Sequence, residues 1–190
     1  MKVLVVTGHP RSDSLTSEVT KRFCEVLSEN GHQVELADIY TEGFDPILRE
    51  ADEPDWEDAR KRYSAGVRQE MARVERNQAT VIIFPVFWWS LPALYKGWID
   101  RVWNNGWAYG DGTYPHQRVW LIGIAGNDAK AYEKRGYVDA MRTQLEIGIL
   151  DYCSVEQGRF ELLYGSIEGE QHVQQILADA SRLAAEFGPA

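Results

Sequence analysis

The sequence predicts a three-layer α/β sandwich in which five parallel strands, in the order 2-1-3-4-5, lie between two layers of helices. Three observations predict it. Short β-branched apolar runs alternate along the chain with longer segments whose apolar residues recur every three or four positions, the pattern of successive βα units. The third apolar run, Val81-Ile-Ile-Phe84, is continuous, as expected of a strand buried on both faces in the middle of a parallel sheet. Five such runs suffice for a doubly wound sheet. The first βα turn lacks the glycines of a dinucleotide-binding turn, which sets this order above the six-stranded alternative.

Lys2–Thr7 is the first strand, and the helix after it carries Leu15, Val19, Phe23, Val26 and Leu27 on one face. Asn30-Gly31 stops that helix as a left-handed cap would, and Gln33–Asp38 is the second strand. Thr41–Asp55, rich in Gly, Pro and acids, is irregular; Trp56–Asn77 then reads as helical. Thr80–Phe84 is the third strand. Pro92–Trp103 follows as a helix, with proline at its start, where the missing N–H costs nothing. Asn104–Gln117 is a long loop and Arg118–Ile124 the fourth strand. An irregular segment leads to a helix over about Tyr137–Ile149, and Tyr152–Phe160 is the fifth strand. A last helix over about Gly169–Phe187 places Val173, Ile176, Leu177, Ala180, Leu183 and Ala184 at helical spacing. With right-handed crossovers this is a flavodoxin-like three-layer sandwich, and residues 1–190 are read as one domain.

Composition narrows the function classes. At 44% hydrophobic and 26% charged, the chain belongs with ordinary globular proteins. A net charge of −9 argues against general binding to nucleic acid or anionic lipid. The opening apolar run ends at Thr7-Gly-His-Pro10, too soon for the core of a secretion signal, so a cytoplasmic protein is expected. Cys24 and Cys153 stand in no CxxC or Cys/His cluster and read as small core residues; no metal site is expected.

The most informative stretch is Phe84-Pro-Val-Phe-Trp-Trp-Ser-Leu-Pro-Ala-Leu-Tyr-Lys-Gly-Trp-Ile-Asp-Arg-Val-Trp103, which holds four of the seven tryptophans. Two adjacent indoles lie in a loop at a strand end, where open α/β sheets hold their ligands. Phe87, Trp88 and Trp89 therefore suit a flat aromatic ligand, and equally a plug for the core or a subunit interface. In the first loop, Ser12, Ser14, Thr16 and Ser17 cluster at a helix N-terminus that favours an anion, with His9 as a further donor. One of Ser14 and Thr16 also serves as the helix cap. A third loop, Ala125-Gly-Asn-Asp128, precedes Tyr132 and Tyr137; its glycine permits close backbone approach, and Gly-Asn-Asp is also an ordinary turn. Lys96 and Arg101 are read as exposed helix charges with no catalytic role.

These motifs resemble the NAD(P)H:quinone oxidoreductase family of flavodoxin-like flavoproteins over nearly the whole chain. That family includes the modulator-of-drug-activity reductases and ancillary subunits of potassium efflux systems. The Phe84–Val102 stretch is similar to the family's F-P-[LV]-x-W-[YFW]-x-x-P-A-x-[LM]-K-G-[WY]-x-[DE]-R-V. Gly8-His-Pro10, Asp45-Pro46 and Trp107-Ala-Tyr-Gly110 also fit. The resemblance implies flavin phosphate binding at His9, Ser14, Leu15 and Thr16. It implies that Pro85, Val86, Phe87, Trp88 and Trp89 hold the isoalloxazine ring, largely through backbone groups. Ala125, Gly126 and Asn127 match the segment at the ring's pyrimidine edge, and Tyr132 matches a tyrosine near the nicotinamide. Mammalian members carry a histidine six residues after that tyrosine; this chain has Val138, and the adjacent Tyr137 is the candidate to replace it.

The implied reaction is ping-pong, two electrons passing as hydride from NADH or NADPH through FMN, with FAD as the alternative, to a quinone or similar small aromatic acceptor. Azo, nitro or metal-ion acceptors are the rival within enzymes. A regulatory subunit of a potassium transporter, peripherally associated with it, is the rival outside them. Family members are typically homodimers, which makes Trp107 and Tyr109 candidates to reach a partner's flavin.

Overall fold

In the computed structural model, described for residues 1–188, the sheet has five strands, all parallel, in the order β2-β1-β3-β4-β5. They are β1 (Lys2–Thr7), β2 (Gln33–Asp38), β3 (Ala79–Pro85), β4 (Arg118–Ile124) and β5 (Gln157–Leu163). The helices are α1 (Leu15–Glu29), α2 (Ala65–Glu75), α3 (Ala93–Val102), α4 (Ala129–Lys134), α5 (Tyr137–Arg142) and α6 (Glu170–Glu186). Wide π-type turns carry α5 on through Thr143–Asp151.

Alternation along the strands makes two cores. From β1, Val3 and Val5 pack under Val19, Phe23 and Leu27 of α1 and Ile176, Ala180 and Leu183 of α6. Leu4 and Val6 face the opposite side, with Val67, Met71 and Val74 of α2, Tyr95, Trp98 and Val102 of α3, and Met141 and Leu145 beyond. Val81–Phe84 is fully buried, as a central strand covered on both faces must be.

Three of the expected secondary-structure elements need correction. The second helix begins at Ala65 rather than Trp56, because Asp55 accepts the N–H groups of Glu57 and Asp58 and Asp58 that of Arg60. Side chains that bond nearby backbone in this way compete with helix formation. The fifth strand is Gln157–Leu163, not Tyr152–Phe160. The wide helical turns run on to Asp151 and close through Ser154, at a φ of 60°, with Val155 N–H on Leu150 O at 3.0 Å. Within the irregular segment, Asp128 accepts from Ala131 N–H at 2.8 Å and caps the short helix α4.

Cys153 is buried as expected, whereas Cys24 is half-buried. Arg101, expected on the surface, is buried at 8% exposure and donates to Asp52. Lys96 is partly exposed and pairs with Asp100, one turn on.

Candidate active site at the C-terminal edge of the sheet

The loop after β1 and the loop after β3 meet at the switch point between oppositely wound halves of the sheet. Gly8 donates its N–H to the Tyr95 hydroxyl at 2.7 Å, which joins the first loop to α3. Burial pushes the Tyr95 phenol up to about 12, so it remains protonated at neutral pH. A Cβ on Gly8 would come within 3.0 Å of Ile39 and Leu94, so glycine allows this close packing. The first loop then folds on itself: His9 Nδ1 accepts from Arg11 N–H at 3.1 Å, and Ser17 Oγ donates to Arg11 O at 3.3 Å.

Ser14 is the helix cap, its Oγ accepting from Ser17 N–H at 3.2 Å. That settles the choice between Ser14 and Thr16. Thr16 is buried, and its carbonyl accepts from Thr20 Oγ1 at 2.8 Å. The N–H groups of Leu15 and Thr16 find no partner among the described residues. Two free donors at the positive end of a 15-residue helix, beside Ser12 and His9, fit a flavin phosphate.

The aromatic loop is a two-residue turn. Phe87 N–H donates to Ser90 O at 3.2 Å, and Ser90 N–H returns to Phe87 O at 3.1 Å. Trp88 and Trp89, between them, have φ values of 52° and 54°. Both are left-handed, a geometry that ordinarily draws Asn-Gly and costs an L side chain about 1–2 kcal/mol per residue. Strained backbone of this kind clusters at ligand clamps. The Trp88 side chain is 88% exposed, and the N–H groups of both tryptophans find no partner among the described residues. Free donors next to exposed flat surface suit the polar edge and the face of an isoalloxazine ring. Val86 N–H is bonded to Ile124 O at 2.9 Å, which aligns the base of the turn with β4.

Val86, Trp88, Trp89, Gly126, Asn127 and Tyr132 line one cavity of about 280 Å³. Tyr132 is buried, which raises its phenol pKa and keeps it a proton donor. A larger cavity, about 590 Å³, runs between α1 and β2; it has no aromatic lining and lies away from the tryptophan turn.

The structure thus brings Val86, Trp88, Trp89, Gly126, Asn127 and Tyr132 together, with Pro85 at the end of β3 beneath them. Phe87 closes the turn and is 53% exposed. Ala125 is fully buried, its N–H on Leu163 O at 2.7 Å. Tyr137 does not line the cavity: its ring stacks on Trp89 with centroids 4.1 Å apart, and its hydroxyl accepts from Arg135 at 3.4 Å. His9, Ser14, Leu15 and Thr16 form the separate phosphate loop. Trp107 and Tyr109 lie at the opposite end of the sheet, in the loop that enters β4. There the Trp107 indole N–H donates to Glu75 at 2.8 Å, and Tyr109 packs on Trp56 and Tyr152.

Sequence reading missed the loop after β5. Gly165, Ser166 and Ile167 donate their N–H groups to Asn127, Ala125 and Gly126 O at 3.0, 3.0 and 3.2 Å. This loop braces the third wall of the site and leaves Ile167 74% exposed beside Gly126. The rule that ligands sit outside the carboxyl ends of the strands pointed to it.

Comparison with known proteins agrees with this fold. The chain is 34% identical to YcaK of Escherichia coli strain K12, an uncharacterized NAD(P)H oxidoreductase, over 90% of this chain and 88% of that one. It superposes on the NAD(P)H:quinone oxidoreductase of Methanothermobacter marburgensis with a TM-score of 0.93 at 29% identity, covering 98% of this chain and 96% of that one. General stress protein 14 of Treponema denticola, solved in complex with FMN, shares the fold at a TM-score of 0.70 and 22% identity, over 99% of this chain and all of that one. Residues 1–186 match the family described as having a flavodoxin-like fold, and the chain belongs to that family.

Proposed function

We propose that this protein is a flavin-dependent NAD(P)H oxidoreductase that delivers two electrons to quinones. The observation that carries the reading is the left-handed Trp88-Trp89 turn, with two free N–H groups and an exposed indole, beside the cavity that Gly126, Asn127 and Tyr132 complete. The names of the similar proteins from E. coli and Methanothermobacter support the nicotinamide donor and the quinone acceptor.

FMN is the cofactor proposed. When bound, it supplies hydride acceptance from the nicotinamide and hydride delivery to the acceptor. The chain's own residues do the rest. Leu15 and Thr16 N–H, with His9 and Ser14 at the same loop, anchor the phosphate. Trp88 and Trp89 N–H bond the ring's polar edge, Pro85, Val86 and Phe87 shape the wall behind it, and Ala125-Gly126-Asn127 borders the pyrimidine side. Tyr132 is the proton donor placed to stabilise negative charge there.

The same reading has two copies paired. Trp107 and Tyr109 lie at the far end of their own sheet, so a flavin they touch belongs to a second copy. No described helix is long and apolar enough to cross a membrane.

The test is to purify the protein, release and chromatograph its flavin, and follow NADH and NADPH oxidation with menadione and, separately, an azo dye. FMN release with faster turnover of menadione than of the dye is the expected result. Protein that takes up no flavin and oxidises neither nucleotide overturns the proposal.

A further inference from the structure

Two adjacent left-handed tryptophans without a glycine need something outside the turn to hold them. The segment from Tyr137 to Asp151 supplies it. The Tyr137 ring stacks on Trp89 at 4.1 Å with planes 27° apart, and Ser90 Oγ donates to Gln144 Oε1 at 3.0 Å. The contact leaves Trp89 38% exposed, whereas Trp88, which has no such partner, is 88% exposed. Behind Tyr137 the rings continue inward: Tyr132 meets it edge-on at 5.9 Å, and Tyr164 meets Tyr132 at 5.5 Å. The turn is therefore seated on an aromatic chain anchored in the core. Gln144 lies in the wide π-type turns, a geometry frequent at functional sites.

We propose that Tyr137 is a positioning residue, which with Gln144 braces the Trp88-Trp89 turn in the conformation that receives the flavin ring. It acts through the face of its ring on Trp89. Its hydroxyl is turned to Arg135 and takes no part in charge stabilisation, the role that the place of Tyr137 beside Val138 suggested. This inference rests on the flavin reading for its consequence, though the brace itself does not need a ligand.

The experiment compares Tyr137→Phe, Tyr137→Ala and Gln144→Ala by near-UV circular dichroism of the flavin-free protein, FMN titration, and menadione kinetics. Phenylalanine keeps the stack, so the tryptophan dichroism and the FMN dissociation constant should stay within about twofold of wild type. Alanine should remove the dichroic band and weaken FMN binding roughly 3- to 10-fold, the range a stacked aromatic pair supplies. The menadione KM should rise more than kcat falls. Gln144→Ala should weaken FMN binding by about twofold, consistent with one exposed hydrogen bond.

If Tyr137→Phe is as damaged in turnover as Tyr137→Ala with its dichroism intact, the hydroxyl is the functional group and the proposal falls. Should Tyr137→Ala not fold, Tyr137→Leu, which keeps bulk but lacks a flat face, takes its place; wild-type dichroism and FMN affinity in that variant overturn the brace. A wild-type protein that ignores FMN, yet loses its dichroic band in Tyr137→Ala, would leave the brace standing and remove the flavin function. Tight FMN binding unchanged by alanine would do the reverse.

Discussion

Arg101 donates through Nη2 to the Asp52 carboxylate at 2.7 Å, and both side chains are buried. This pair fastens α3, the helix that follows the tryptophan turn, to the connection between β2 and α2. Asp52 also accepts Ser64 N–H at 2.7 Å and Ser64 Oγ at 2.9 Å, and Arg101 reaches Asp45 O and lies over the Phe44 ring. Removing one partner of a buried pair leaves an uncompensated charge, a loss of about 3–5 kcal/mol. Arg101→Ala is expected to lose stability in that range in urea titration, and a loss below about 1 kcal/mol would show the pair to be dispensable.

The same carboxylate gives an acid dependence. Burial pushes Asp52 up, but its hydrogen bonds from Arg101 and Ser64 outweigh burial and hold it below the ordinary aspartate value. A folded-state pKa below the unfolded value of about 3.9 stabilises the fold above that pH and is lost as pH falls through the folded value. The urea midpoint of wild type should therefore drop more steeply below about pH 4 than that of Asp52→Asn. Parallel curves would assign the acid sensitivity to other groups.

Gly97 has a reason that only packing reveals. A Cβ there would lie 2.3 Å from Pro46 O, so Gly97 lets the Asp45-Pro46 segment rest directly on α3. Overpacking of a rigid site typically costs about 1–3 kcal/mol, and backbone here has no rotamer with which to yield. Gly97→Ala should fall at or above the upper end of that range by thermal or chemical denaturation.

At the other end of the sheet, His116 is buried between Thr80 and Asn77. Its Nε2 lies 2.9 Å from Asn77 O and so donates; its Nδ1 accepts from Thr80 Oγ1 at 2.7 Å; and Thr80 in turn accepts from the Tyr114 hydroxyl at 3.0 Å. Burial lowers the His116 pKa below its usual 6.5. The neutral ring thus stabilises the fold above about pH 6.5, and that contribution is lost as pH falls through the lowered value. Urea midpoints at pH 7.5 and 5.5 should differ more for wild type than for His116→Gln.

Trp88→Gly separates the turn from its surface. Glycine enters the left-handed region without strain, so stability should hold or rise by about 1 kcal/mol, while the loss of an exposed indole should weaken FMN retention roughly tenfold. Equal FMN affinity would exclude the Trp88 side chain from the ring's wall.

Much of this architecture was legible in the residues. Val81–Phe84 announced a central strand by being apolar at every position, and the spacing of Val19, Phe23 and Leu27 announced the face of α1. What misled were segments whose propensity and final state differ. Residues 56–64 read as helix, but Asp55 and Asp58 bond the N–H groups that follow them, and residues 152–156 read as strand although they are the turn that closes the preceding helical segment through Val155 N–H on Leu150 O. Arg101 read as a surface charge because nothing in its own helix foretold a carboxylate arriving from Asp52.

For the site, residue type and strand-end position were enough to name Trp88, Trp89, Gly126, Asn127 and Tyr132, since hydrophobic period and turn chemistry are local properties. The tertiary structure alone decided three things: that the two tryptophans are left-handed, that Tyr137 spends its ring on Trp89 rather than lining the cavity, and that the loop after β5 ties down Ala125–Asn127. Each depends on contacts between segments distant in the chain, and such contacts exist only once the strands are in register and the loops converge on one edge of the sheet.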